Sequence, residues 1–344
     1  MGRPRRAPPP ADRPAVASIT SVAARAGVSI ATVSRIVNGI ANKAGPETVE
    51  RVQRAIAELG YRPLSVGRAL RRKESRLVAL LAANLGNPAM AAIAASAETA
   101  LREAGYVMVL CDTHDRPDLQ DEYLLEMRAQ LVRGIILLGA VPSPHLERFV
   151  LQGEPLLFVN RRSPFPGTAP FVGVDNALAG GEVASLFLSR GIHDIAVVHG
   201  SLKSSATAER LEAFVARLGE AGIRMPKSSR LTAPLLDHLA IGYAAGGELA
   251  AAGPMPRGIF CLSDLIAYGV HKRLMEAGVS VPAETLIVGF DDNPLNNWLA
   301  PWLSSVRVPY ASFGDAIVDA FDGIWSGATP RHVELPHELV LRGP

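Results

Sequence analysis

The chain has 344 residues, 48% of them hydrophobic, a length beyond one average domain and an apolar content that excludes a disordered or fibrous protein. Its net charge of +2 conceals a split: residues 1–75 hold 14 Lys and Arg against 5 Asp and Glu, whereas residues 76–344 hold 21 against 28. That split suits a basic head that meets a polyanion through its phosphates and a larger soluble body; the two cysteines, Cys111 and Cys261, each closing an apolar run, exclude a disulfide scaffold and read as buried free thiols.

Residues 1–17 set Arg3, Arg5, Arg6 and Arg13 among Pro8, Pro9, Pro10 and Pro14, a composition that buries too little apolar surface to order itself, so a disordered, solvated arm is expected. No apolar h-region follows these charges, and the later helical stretches carry regular charges. Neither a signal peptide nor a membrane span is therefore expected, and the chain should stay in the cytoplasm.

Ser18 can cap a helix from Ile19 to about Ala26, which Gly27 ends. Val28 fills the turn and Ser29 caps a second helix from Ile30 to about Val37, with Val33, Ile36 and Val37 toward a core and Ile30, Ala31, Ser34 and Arg35 facing outward. Such a pair is either a plain helical hairpin or a DNA-reading helix-turn-helix. In the second case Ile30 and Ala31 would touch thymine methyls, Arg35 would donate to guanine, and Ser29, Thr32, Ser34 and Asn38 would reach phosphates. A third helix starts at Pro46 beside Glu47, places Val49, Val52, Ile56 and Leu59 on one face and stops at Gly60, completing an all-α head over residues 18–63.

Three motifs then stand in order: A-G-V-S-x-x-T-V-S-R-x-V-N from Ala26, A-I-A-E-L-G-Y-R-P ending at Pro63, and V-x-R-A-L from Val66. Together they resemble the LacI/GalR family of bacterial transcription regulators. The resemblance implies that residues 64–75 are a hinge helix that folds on cognate DNA, with Gly67 and Arg68 in contact and Leu70 wedged into the minor groove, where an apolar side chain unstacks and kinks the duplex. The residue-level alternative is a linker leucine packed on the body; Arg68, Arg71, Arg72 and Lys73 favour DNA. Gly67 stands where relatives usually have alanine, which costs roughly 1 kcal/mol of helix stability and loosens the hinge.

From Leu77 apolar runs alternate with helical patterns: 77–83, 106–111, 134–138, 155–159, 194–199, 258–262 and 286–290. Strands alternating with helices mean parallel sheet covered on both faces, and this many suggest two sheets. Gly173-Val174-Asp175-Asn176, Glu209-Arg210, Ser263-Asp264 and Val288-Gly289-Phe290-Asp291-Asp292 extend the resemblance to two doubly wound parallel-sheet lobes of periplasmic-binding-protein type. The expected division of the body, 76–344, puts about 76–172 and 309–334 in lobe 1 and about 173–308 and 335–344 in lobe 2, with crossings near Val172–Asp175, Val306–Pro309 and Glu334–His337.

In such a fold an effector sits in the cleft beyond the strand ends. Asn160, Arg161, Arg210, Ser263, Asp264, Asp291 and Tyr310 hold the matching positions and are the candidate effector contacts, although Asp264 reads equally well as a helix cap. Asn160 replaces a more usual aspartate, and with Arg161, Arg162 and Arg210 nearby the pocket suits an anionic ligand such as a sugar acid or phosphate, unless Arg162 simply faces solvent. The resemblance further implies double-stranded operator DNA and a small, carbohydrate-related effector as partners. It also implies a homodimer; the chain stops at Pro344 without the C-terminal leucine-repeat helix that makes tetramers of some relatives, so a tetramer by that route is not expected. No cofactor and no metal are expected. A transporter's solute-binding protein would need an export signal and no head. An enzyme is disfavoured because there is no Gly-x-Ser-x-Gly elbow, phosphate loop or metal-spaced His/Cys cluster.

Overall fold

A computed structural model describes residues 17–37, 44–61, 75–167, 169–329 and 331–342. The chain divides into two compact units, Met1–Ser75 and Arg76–Pro344. The expected arm up to residue 16, the position of Asn38, and the hinge positions Gly67, Arg68 and Leu70 lie outside the described residues.

In the first unit, helix α1 (Ile19–Ala26) opens on a reciprocal cap. The Ser21 amide donates to Ser18 Oγ at 3.1 Å, and the Ser18 amide donates to Ser21 Oγ at 2.9 Å. Gly27, at φ 66°, closes it in the left-handed region where a side chain would be strained. Helix α2 (Ile30–Val37) begins where the Thr32 amide donates to Ser29 Oγ, and α3 (Pro46–Leu59) has proline in its first turn. Val22, Ala23, Ala26, Val33, Val52 and Ala55 form the buried centre. Leu59, expected on the core face of α3, is 36% exposed; Ala55 takes its place because it sits one turn closer to Val52.

The second unit holds two six-stranded sheets. The first has the order β11-β5-β4-β3-β1-β2, with β1 at Leu77–Ala82, β2 at Val107–Asp112, β3 at Gly134–Leu138, β4 at Leu156–Val159, β5 at Phe171–Val174 and β11 at His332–Leu335. The second has the order β12-β10-β9-β8-β6-β7, with β6 at Ile195–Val198, β7 at Arg230–Leu231, β8 at Gly258–Cys261, β9 at Leu286–Asp291, β10 at Ser304–Arg307 and β12 at Glu338–Val340. All pairings are parallel except β10 with β12, which run antiparallel and depart from the expected all-parallel pattern because only a short connection returns the chain from β11.

Helices α4 (Pro88–Glu103), α5 (Pro117–Ala129), α6 (Pro144–Leu151) and α12 (Phe313–Ser326) flank the first sheet. Helices α7 (Asn176–Ser189), α8 (Ser205–Glu220), α9 (His238–Ala251) and α10 (Asp264–Glu276) flank the second, and a short α11 (Asn296–Leu299) follows β9. Central strands such as β3 and β8 are buried along their whole length, as sheets covered on both faces require. Cys261 is buried at the end of β8, whereas Cys111 lies half-buried in the edge strand β2; both thiols are free.

The backbone passes between the sheets three times: from β5 into α7, from β10 into a 3-10 turn at Tyr310–Ser312, and from β11 into β12. The first sheet keeps Val174 and Leu335. The second passage is pinned to α4, where Ser96 Oγ donates to the Ala311 carbonyl at 3.0 Å and accepts from the Gly314 amide at 2.9 Å. Among the described residues no helix is long and apolar enough to cross a membrane.

Candidate functional site

Two places gather the candidate residues. The first is the exposed face of α2. Ile30 is 48% exposed although Val33, one turn on, is fully buried, so the helix turns its apolar start outward while its next turn anchors it. Ala31 and Arg35 are exposed beside Ile30 and Ser34 is half-buried. The hydroxyls of Ser29 and Thr32 lie 2.9 Å apart and satisfy each other and the helix start, which limits what they offer a phosphate in this state. Arg25 pairs with Glu58 at 2.7 Å and ties α1 to α3.

The second is a cleft of about 250 Å³ between the carboxyl ends of the two sheets, built almost wholly from loops that follow strands. The first lobe contributes Asn87 at the start of α4, Asp115 after β2, and Asn160 and Arg161 after β4. The second contributes Arg210 from α8, His238 from the start of α9, Ser263 after β8 and Asp291 at the end of β9. Val308 and Tyr310 enter from the second passage. Asn160, Arg161, Arg210, Ser263, Asp291 and Tyr310 thus come together as the sequence suggested.

Asp264 does not line this cleft. Its carboxylate is buried behind Ser263, accepting from Ser305 Oγ at 2.6 Å, the Asn293 amide at 2.8 Å and Asn296 Nδ2 at 2.7 Å. It therefore braces the loop after β9, and Ser263 is the helix cap, its Oγ accepting from the Ile266 amide and sharing a 2.9 Å contact with His238 Nδ1. Burial pushes the Asp264 carboxyl up to about 6, against the pull of these donors. Arg162 is also elsewhere. Its Nε reaches Glu209 at 3.1 Å, its Nη2 reaches Glu334 at 2.8 Å, and its guanidinium lies over the Phe171 ring, so it joins α8 of one lobe to β11 of the other instead of entering the pocket or facing solvent.

Arg210 is the deepest cation in the cleft, only 6% exposed. Its Nε donates to Asn176 Oδ1 at 2.8 Å and its Nη1 to the Leu262 carbonyl at 3.0 Å, and its guanidinium stacks on the Phe290 ring. Burial lowers its pKa to about 10, with Asp291 and Tyr310 pulling the other way. Asp291 is pushed up to about 8, first by burial, with Arg210 opposing and Asp264 adding to the rise. Asp291 also holds a φ of 117°, and Asn160 and Asp115 are left-handed at 67° and 56°; such backbone strain, on the order of 1–3 kcal/mol at a non-glycine residue, collects at ligand sites.

The lining side chains that were not anticipated include Asp115, His238, Lys203 and Thr207. Asp115 forms a forked pair with Arg161, 2.7 Å to Nη1 and 3.3 Å to Nη2. Its position just after β2 was the available signal. His238 is held neutral by burial and by Arg161. Nothing in its spacing distinguishes it from a surface histidine.

Residues 18–64 match the bacterial regulatory proteins of the lacI family, and residues 184–343 match a periplasmic binding protein-like domain. The transcriptional regulator PtxS of Pseudomonas putida is 30% identical over 95% of this chain and 95% of its own. The ribose operon repressor of Escherichia coli is 28% identical over 88% and 92%. Among solved structures, the regulator CelR in complex with cellobiose superposes with a TM-score of 0.71 at 28% identity, covering 96% of this chain and 99% of its own. The lac repressor dimer bound to operator and an anti-inducer superposes with a TM-score of 0.83 over 95% and 98%, and at 24% identity supports the fold alone. The PtxS relative, 30% identical along nearly the whole length, with both halves of the architecture matched, places the chain in the LacI family of bacterial regulatory proteins, as a DNA-binding transcriptional regulator and not an enzyme.

Proposed function

We propose that the protein is a homodimeric repressor whose two heads grip a near-palindromic operator, and that a small carbohydrate-related effector in the interlobe cleft controls that grip. Ile30, Ala31 and Arg35 read base edges; Ser29, Thr32, Ser34 and Asn38 meet phosphates; and Gly67, Arg68 and Leu70 act at the operator centre. The observation that carries the effector half is the convergence of Asn160, Arg161, Arg210 and Asp291 from both lobes on one small cleft, because a ligand held there binds one interlobe angle better than another and so shifts the population. The relatives support the reading: the ribose operon repressor by its name and CelR by its cellobiose.

Anisotropy titrations against palindromes upstream of the protein's own gene, at several salt concentrations, test the DNA half. Affinity should fall steeply with salt, and Arg35→Ala should relax specificity by about 1–3 kcal/mol if it makes a forked guanine contact. Equal loss on specific and random DNA reduces Arg35 to a phosphate clamp; absence of any preferred palindrome refutes the operator reading.

A further inference from the structure

We propose that the cleft takes a polyhydroxy monocarboxylate the size of one sugar, its carboxylate lying against the Arg210 guanidinium; the inference rests on the effector reading above and narrows it to one ligand class. The argument begins with charge. Asp115 and Arg161 satisfy each other through a two-point pair and cancel. That leaves Arg210 at the floor and Lys203 at the exposed mouth against Asp291. Even with Asp291 ionised these three charges leave the empty cleft net positive, burial raising the Asp291 pKa adds to that balance, and among the described residues the deepest charge has no carboxylate within ion-pair distance.

A buried guanidinium without a counter-charge is costly, and the cost is relieved by an anion that accepts its free donors. Arg210 uses Nε and Nη1 within the chain, while Nη2 makes no hydrogen bond among the described residues. A carboxylate matches that fork. A phosphate dianion would ask for a second deep cation, and Arg161 is already committed to Asp115. A neutral sugar would leave the charge standing.

Size and the remaining polar groups complete the description. The cleft of about 250 Å³ has room for a monosaccharide. The Asn160 amide makes no side-chain hydrogen bond among the described residues, and with Thr207 and His238 it supplies both donors and acceptors for hydroxyls.

Thermal-shift and calorimetric titrations of the full chain with D-glucuronate, D-galacturonate, D-gluconate, D-glucose, D-galactose and inorganic phosphate test the proposal. At least one acid should bind tenfold or more tighter than its neutral counterpart. Asn160→Asp, which adds one carboxylate at a half-buried side chain free of hydrogen bonds, should weaken that acid about tenfold, and Arg210→Lys should weaken it as well. Neutral sugars binding as tightly as the acids, with affinity lost in Arg210→Lys, would overturn the carboxylate while sparing the effector cleft. Phosphate binding more tightly than every acid would also overturn it. If none of the six binds, both the ligand class and the effector reading fall.

Discussion

The ion pair between Arg162 and Glu209 should be worth about 1 kcal/mol across the lobes, and a double-mutant cycle can read it. Arg162 follows β4 in the first lobe and Glu209 lies on α8 in the second, with side chains 33% and 27% exposed. Fully exposed pairs contribute roughly 0.2–1 kcal/mol; partial burial and a second carboxylate, Glu334, put this pair near the upper end. Burial works against the charge on Arg162, yet Glu334 and Glu209 together hold its pKa above the usual range. Arg162→Gln, which also loses the stack on Phe171, should cost about 2 kcal/mol in urea unfolding of the body. Glu209→Gln should cost about 1 kcal/mol, and the double variant about 1 kcal/mol less than the sum. The coupling should shrink in 1 M salt. The pair also has a route to the cleft: Glu209 Oε2 accepts from Asn176 Nδ2 at 3.2 Å, and Asn176 Oδ1 accepts from Arg210. A change of 1 kcal/mol in interlobe preference should therefore alter effector control of operator binding about fivefold. Additivity of the two single variants within about 0.3 kcal/mol would refute the argument, because uncoupled residues add.

Two further outcomes follow from the cleft and its scaffold. Asp291 faces Arg210 from α8, Asp264 from α10, and Tyr310, and its folded pKa of about 8 lies above its unfolded value, so ionising it opposes folding: stability should decline as pH rises from about 4 to 8. Asp291→Asn should flatten that decline and raise the melting temperature at pH 8; an unchanged pH profile would refute the assignment. Gly180 on α7 packs so closely on α8 that an added Cβ would run into the carbonyl oxygen of Arg210 itself. Gly180→Ala should cost about 1–3 kcal/mol and lower cleft affinity together, measured by unfolding and by ligand titration, whereas Gly181→Ala, where space is open, should do neither.

Seven of the strands were visible in sequence because they are apolar runs between helical patterns. Of the other five, β5 was met only as a crossing near Val172–Asp175, and the remaining four have physical reasons for not being read as strands. β7 is two residues long, β10 reads Ser-Ser-Val-Arg because its buried serines bond to Asp264 and to the backbone at Arg342, and β11 and β12 alternate charged with apolar residues at the sheet edges. The cleft was legible wherever a polar residue directly follows an apolar strand, which is how Asn160, Ser263 and Asp291 announced themselves. It was illegible wherever a side chain's role depends on a partner far along the chain. Arg161 and Arg162 are neighbours in sequence with the same charge, yet one reaches Asp115 and the other reaches Glu209 and Glu334, and no local pattern separates them.

The same limit explains why Asp264 and Asp291, both read as effector contacts, part company: only Asp291 lines the cleft. Both stand at strand ends and both are pushed up by burial, but three donors saturate Asp264, whereas Asp291 sits in a strained backbone conformation that turns its carboxyl to the cleft beside Arg210. A carboxylate held by three donors fixes a loop in place, while one on a strained backbone at the cleft costs stability that a ligand recovers. Asp264 fixes the geometry that keeps Asp291 strained, since the Asn293 amide it accepts from follows directly on the Asp291–Asp292 turn. Asp264→Asn should therefore destabilise the body and release Asp291 together, lowering both the melting temperature and cleft affinity. If ligand binding survives in that variant while stability falls, Asp264 is a core residue with no influence on the site.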